Sequence, residues 1–334
     1  CDIKMPKMDG VELLEVVKKI KPEIPMVMIS GHGDMETAIQ TMRLGAFDYI
    51  SKPPDLNRLL NTVRNALDKK QLVVENKILK KKVSKNYEMI GNSEAINHIK
   101  TMIEKVAPTD ARVLITGPNG TGKELVAHQL HEKSERSSAP IIEVNCAAIP
   151  SELIESELFG HKKGSFTGAT ENKLGRVDQA EGGTLFFDEI GDFPISLQPK
   201  LLRFIQEREY ERVGDPVTRR ADVRIVAATN RNLGERVKEG HFREDLLYRL
   251  NVITIELPPL RDRAEDIQAL AERFLMRYVA NYRRSARTFT PAARTALRTY
   301  AWPGNVRELQ NVIERAAMSD RGLPLVVRFG ADGG

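Results

Sequence analysis

The chain has 334 residues, 41% hydrophobic and 29% charged, with 51 Lys and Arg against 46 Asp and Glu for a formal charge of +5. That length holds about two domains with separate cores, and so mild a charge gives no argument for nucleic-acid binding. No apolar run nears the roughly 20 residues that span a bilayer and no signal peptide opens the chain; Cys1 and Cys146 lack zinc-site or disulfide-framework spacing, so no membrane association and a cytoplasmic setting are expected.

Residues 1–70 alternate helical and strand patterns. Val11, Leu14, Val17 and Ile20 repeat at helical spacing, and residues 26–29 read as a short buried strand. Residues 35–44 form a helix stopped by Gly45, residues 47–51 a strand, and residues 56–67 an amphipathic helix. This order predicts an open parallel sheet with crossover helices. Between residues 68 and 85 lysines alternate with Leu72, Val73, Ile78, Leu79 and Val83, which suits a short coiled coil or a solvated linker helix equally. Cys1 in place of a starting Met, and the featureless Ala331-Asp332-Gly333-Gly334, lead us to expect a piece of a longer protein.

A second α/β unit starts near Tyr87. A buried strand at 112–116 runs into Gly117-Pro118-Asn119-Gly120-Thr121-Gly122-Lys123 and then a helix. Strand, glycine-rich turn, Lys and helix together make a P-loop: inward N–H groups and the helix dipole hold phosphates, with Lys123 reaching the β/γ positions. The residue after the Lys, usually a Ser or Thr that ligates Mg²⁺, is Glu124. A strand at 184–187 ends in Asp188-Glu189, placing two carboxylates at the carboxyl edge of the sheet. Asp188 suits Mg²⁺ and Glu189 suits polarising the attacking water. Thr229-Asn230 closes a strand ending at 228; Asn230 offers a polar group to a γ-phosphate or caps an ordinary turn. Arg243 and Arg249, six residues apart, are phosphate-neutralising cations or surface ion-pair residues. From residue 258 the pattern is helical: 264–282, 291–300 and 305–318, the last opened by Trp302-Pro303-Gly304 and carrying Arg307.

Over residues 87 to 320 these motifs resemble the central ATPase domain of the NtrC-like bacterial enhancer-binding proteins. GPNGTGKE matches the family's GESGTGKE, so Glu124 fits the group, and GGTLFFDEIGD and WPGNVREL are near-verbatim family phrases. Most discriminating is Gly164-Ser165-Phe166-Thr167-Gly168-Ala169, which is similar to the family's GAFTGA loop inserted into a helix. The resemblance implies a P-loop AAA+ ATPase using ATP and Mg²⁺, whose loop tip contacts the sigma-54 factor of RNA polymerase. It further implies that Asn145 couples Glu189 to the nucleotide and that Asn230 is a sensor. Arg243 and Arg249 would then act in trans on the neighbouring subunit of a ring, usually a hexamer, with Arg307 sensing nucleotide from the lid. Residues 207–220 correspond to a second pore loop.

The first 70 residues resemble the second half of a flavodoxin-like response-regulator receiver. Asp2 matches the phosphoacceptor, and Ser30, Tyr49 and Lys52 match the switch residues, with Lys52-Pro53 the usual pairing. A sensor histidine kinase is the implied partner of the whole protein. Preceding receiver strands, with their Mg²⁺-binding acids, and the family's helix-turn-helix are expected to be missing, so no specific DNA binding is expected. The predicted layout is a half receiver at 1–70, a linker helix at 71–86, an AAA+ core at 87–257, a helical lid at 258–322 and a tail at 323–334. Two rivals are another AAA+ machine, such as an unfoldase or a DNA-loading ATPase, and a signalling module that only binds nucleotide. The first has no need of GSFTGA, and the second no need of Glu189 and the arginines.

Overall fold

Asp9 starts the first helix, its Oδ1 accepting from Val11 N and Glu12 N, both at 2.8 Å, a side-chain cap for otherwise orphaned donors. In this computed structural model the described residues are 1–6, 8–31, 35–283 and 288–318, with the backbone alone for 72–86. They fall into two units that divide between Asn86 and Tyr87.

The first unit contains α1 (Gly10–Ile20), β1 (Val27–Ser30), α2 (Met35–Arg43), β2 (Asp48–Ser51) and α3 (Leu56–Asn86). Strands β1 and β2 pair in parallel with Val27 opposite Asp48, and Asp2 makes a parallel bridge to Ile29. Leu14, Met28 and Ala46 form its small core. Helix α3 is continuous for 31 residues, so the lysine-rich segment continues the last helix of this unit without a break at residue 70. Whether that segment forms a coiled coil or a solvated face rests on side chains at 72–86, outside the described residues.

The second unit opens with α4 (Glu94–Val106), β3 (Val113–Thr116), α5 (Lys123–Glu132) and β4 (Ile141–Asn145). There follow α6 (Ile154–Phe159), β5 (Gly160–His161), β6 (Lys173–Leu174), α7 (Arg176–Gln179), β7 (Thr184–Asp188), α8 (Gln198–Glu207), β8 (Glu209–Tyr210) and β9 (Arg219–Arg220). Then come β10 (Arg224–Thr229), α9 (Leu233–Lys238), α10 (Glu244–Leu250) and β11 (Ile253–Glu256). Five strands form one parallel sheet in the order β11-β3-β10-β7-β4. Pleating sends Leu185 and Phe187 into a core on one face and Phe186 into a core on the other, the mark of a sheet covered on both sides. Arg224 is fully buried at the start of β10, donating to the carbonyls of Val106, Ala107 and Ala111 at 3.0, 2.7 and 3.3 Å. It ties off the end of α4, a cost in desolvation met by three acceptors.

Helices α11 (Ala264–Tyr282), α12 (Pro291–Thr299) and α13 (Asn305–Met318) make the lid. Trp302 lies at its centre among Leu260, Ile267, Leu309 and Ile313, with Nε1 donating to Leu297 O at 2.9 Å. The expected lid residues 319–322 and tail 323–334 lie outside the described residues. No helix among the described residues is long and apolar enough to cross a membrane.

Candidate functional site

The P-loop joins β3 to α5. Lys123 is buried, its ammonium 3.1 Å from Gly117 O and 3.4 Å from Glu189 Oε1. Thr121 is also buried, its hydroxyl donating to Pro118 O at 2.8 Å. Gly120 has φ +75°, and a Cβ there would meet Gly304 O at 2.4 Å, so the lid turn rests directly on the loop. Three further bonds fix that contact. Asn305 Nδ2 donates to Asn119 O at 2.9 Å, Arg307 N to Gly120 O at 3.3 Å, and Arg263 Nη2 to Thr121 O at 2.9 Å. A second tie joins the lid to the start of the unit: buried Asp266 accepts from Asn92 N, Ser93 N and Ser93 Oγ at 2.7, 2.9 and 2.6 Å.

Asp188 and Glu189 end β7 at the carboxyl edge, beside Asn230 at the end of β10. Glu189 is held at φ 53°, ψ 50°, a left-handed conformation that costs a non-glycine residue about 1–2 kcal/mol. It points the carboxylate inward, where Oε2 accepts from Asn230 N at 3.0 Å. Burial, then the charge of Glu189, pushes the Asp188 carboxyl above its ordinary value. Asn145 Nδ2 donates to Asp188 Oδ2 at 3.5 Å, and its Oδ1 accepts from Ala147 N and Ala148 N. Here, then, Asn145 meets Asp188, and it is Asn230 and Lys123 that meet Glu189.

The arginines stand apart from this group. Arg243 directly precedes α10 and pairs with Asp245 at 2.8 Å, while exposed Arg249 has neither hydrogen bond nor ion pair among the described residues. Arg307 is exposed near the P-loop, on α13.

Residues 164–169 cap a hairpin whose stem is β5 paired with β6, set between α6 and α7. Gly164 N donates to Ala169 O at 2.8 Å and Ala169 N to Phe166 O at 3.0 Å, closing the turn, with Phe166 39% exposed beside His161. Ser165 packs against Gly214, in the loop between β8 and β9, and Lys162 N donates to Val213 O at 3.0 Å. The two loops therefore lie side by side.

Glu124 turns away from the P-loop. Its Oε1 accepts from Tyr87 Oη at 3.2 Å, and the Tyr87 ring stacks on His128 with centroids 3.6 Å apart. Burial and the Glu124 charge push the Tyr87 phenol up to about 12. Burial lowers His128, against Glu124, and raises Glu143, aided by the charges of Glu124 and Asp188. In the first unit, Lys52 pairs with Asp2 and holds its carboxyl below the ordinary value; Ser30 is buried and Tyr49 half-buried.

Sequence reasoning passed over Asn305, Arg263, Asp266 and the Tyr87 group. For Asn305 the signal lay in the WPGNVREL phrase itself: an Asn after Gly at a helix start is a left-handed candidate. Arg263 and Asp266 carry none, because only the fold reveals that they are buried.

Known proteins agree with this architecture. The sigma-54 interaction domain family matches residues 89–256, the AAA+ ATPase lid domain family 261–326, and the response regulator receiver domain family 1–64. The alginate biosynthesis transcriptional regulatory protein AlgB of Pseudomonas aeruginosa is 52% identical over 318 residues, 95% of this chain and 71% of that protein. The transcriptional regulatory protein ZraR of Klebsiella oxytoca is 48% identical over 334 residues, 98% of this chain and 75% of that one. Among solved structures, NtrX from Brucella abortus in complex with ATP is similar with a TM-score of 0.77 and 40% identity, covering 98% of this chain and 72% of NtrX.

Proposed function

Because the chain belongs to the sigma-54-interacting AAA+ activators that carry a receiver domain, we propose a residue-level account of how it does this family's work. The activity itself is ATP hydrolysis coupled to activation of sigma-54-dependent transcription under control of receiver phosphorylation.

The observation that carries the account is the meeting of Lys123, Glu189 and Asn230 at the sheet edge above the P-loop. The Lys123 ammonium meets two backbone carbonyls and a single carboxylate oxygen. The β- and γ-phosphates of ATP bring more charge within reach, and the P-loop N–H groups and α5 dipole add to their hold. Lys123 then leaves Glu189, which stays tethered through Asn230 N and free to take a proton from water. Asn230 senses the γ-phosphate from the same strand end. Asp188, a half-buried carboxylate with its proton affinity raised, has the donor chemistry for Mg²⁺. Mg²⁺ bound there would screen the phosphate charge. Asn145 orients Asp188 and, through it, the acid pair.

Arg249, exposed and without a partner among the described residues, reaches into the site of the next subunit of a hexameric ring, with Arg243 beside it. Arg307 reads the nucleotide from the lid. The loop 164–169 presents Phe166 and Thr167 to the sigma-54 factor, and the loop at 207–220 moves with it. Asp2 receives the phosphoryl group from a histidine kinase, with Lys52 as its counter-charge and Ser30 and Tyr49 as the switch.

The test is capture of purified sigma-54 factor by this protein, with and without a transition-state analogue of ATP, beside Thr167→Ala. Binding that requires the analogue and is lost in the variant is the expected result. An assembled, nucleotide-loaded ring that captures no sigma-54 factor would refute the assignment.

A further inference from the structure

We propose that Glu124, His128 and Glu143 form a site for a divalent transition-metal cation of the zinc class, separate from the phosphate site. Glu124 and His128 stand four residues apart on α5 and so share one face of the helix. Glu143 projects from β4, the edge strand of the sheet, toward the same place. One donor atom from each lies within 4.8 Å of the other two. A tetrahedral ion with bonds of about 2.0–2.2 Å holds its donors about 3.4 Å apart, so two glutamate ends need only swing inward. Three protein donors leave the fourth position open to water, the coordination that catalytic zinc sites also keep.

Two observations besides the cluster point to a cation. Among the described residues neither His128 nor Glu143 has a hydrogen-bond or ion-pair partner, and no lysine or arginine answers the two carboxylates. The donors are nonetheless positioned from outside. Tyr87 lies flat on His128 at 3.6 Å and 11°, and donates to Glu124 Oε1 at 3.2 Å. Tyr87 is itself anchored by Gln129 Nε2 on its carbonyl at 2.8 Å. One residue thus orients two of the three donors, the work outer partners do at metal centres. An imidazole among the donors selects against Mg²⁺, which takes oxygen ligands, so the magnesium that accompanies ATP does not fill this site. An ion here pins the first turns of the P-loop helix, directly after Lys123, to the strand that carries Asn145.

The test titrates chelator-stripped, nucleotide-free protein with Zn²⁺ by calorimetry in excess Mg²⁺, and with Co²⁺ by visible absorption. We expect one equivalent of Zn²⁺ and a four-coordinate Co²⁺ band that Zn²⁺ displaces. His128→Ala and Glu143→Gln should each weaken binding by more than the about 10–100-fold that loss of an outer partner costs. His98→Ala, an exposed histidine elsewhere, should keep it. Thermal unfolding in chelator shows that each variant is folded, and the conservative Glu143→Gln carries the result if His128→Ala is not. Unchanged Zn²⁺ affinity in folded Glu143→Gln overturns the proposal, as does absence of uptake by the wild type. Loss of the equivalent in Asp188→Asn with retention in both other variants overturns it too, by placing the ion on the nucleotide acids.

Discussion

Asn305 tests whether the lid holds the P-loop in shape. It is 2% exposed at φ +53°, with Nδ2 donating to Asn119 O and Oδ1 accepting from Leu260 N at 2.8 Å. Asn305→Gly keeps the left-handed backbone and removes both bonds, but strands only the buried Leu260 N, because Asn119 is exposed enough for water to answer its carbonyl. A stranded buried donor costs about 1–3 kcal/mol, which is the expected loss. Asn305→Ala adds the left-handed penalty of about 1–2 kcal/mol. Trp302, the single tryptophan, is buried in the same turn, and its carbonyl accepts from Asn305 N at 2.8 Å. Urea unfolding followed by its fluorescence therefore reports on the unit that holds this turn. ATP affinity should fall with stability, since the carbonyls of Asn119 and Gly120 lose their rest. If both variants unfold within about 0.5 kcal/mol of wild type, the range of an inconsequential surface change, the clasp is incidental. Equal losses for Gly and Ala would show that the backbone at 305 carries no strain.

Two other outcomes follow from the site. Lys123→Ala and Arg249→Ala should each lose ATP turnover, by about 10³-fold or more for the arginine. Mixing the two inactive proteins should restore activity, because an interface with Lys123 from one and Arg249 from the other is complete; a mixture as dead as its parts would make Arg249 a residue acting within its own subunit. Asp188→Asn should raise the unfolding midpoint of the nucleotide-free protein at pH 7. Burial and Glu189 lift the Asp188 carboxyl in the folded state, so its charged form subtracts stability above the ordinary carboxylate range and ceases to as pH falls through it. The gap to wild type should close near about pH 4. A variant less stable than wild type at pH 7 would mean that Lys123 and Asn145 fully compensate the charge.

The sheet and the phosphate site were legible because each rests on local rules. A short, mainly apolar run such as residues 113–116 followed by a glycine-rich turn has one good solution, and the positions of Lys123, Asp188 and Glu189 follow from the strand ends. The length of α3 was half legible: the lysine-rich stretch suits a helix, but nothing in it marks where one helix ends and a linker begins. What could not be read were contacts made across the chain. Arg224 looks like an ordinary strand-edge cation until α4 is seen ending on it. Arg263 and Asp266, three residues apart, look like a surface pair on a lid helix, yet one donates to the P-loop and the other accepts from the start of the unit. Likewise the strand ends bring Asn145 and Asn230 near the acids, but which acid each meets depends on a register between strands that sequence does not print.

The hairpin that carries residues 164–169 has a glycine packed against backbone in its stem and two glycines facing open space at its tip, and that division sets where a substitution meets resistance. At Gly160 a Cβ would lie 2.5 Å from Lys173 O and 2.8 Å from Gly175 N, with backbone on both sides and no room to yield. At Gly168, φ +103°, nothing lies within 4 Å of such an atom. Gly168→Ala therefore meets only the left-handed penalty, about 1–2 kcal/mol, in a loop whose strain does not reach the core. It should lower the melting temperature by only a few degrees while restricting the tip, so capture of sigma-54 factor in the presence of an ATP transition-state analogue should weaken. Gly160→Ala forces apart β5 and β6 above the core residues Leu158 and Phe159 and should lower the melting temperature markedly, with capture lost as a consequence. Equal melting temperatures for the two variants would show that the stem is as pliant as the tip, and undiminished capture by Gly168→Ala that the tip need not bend. A hinge must sit where conformations are cheap and a lever where they are not; the glycines of one short hairpin meet both conditions only because some are packed against backbone and others face open space.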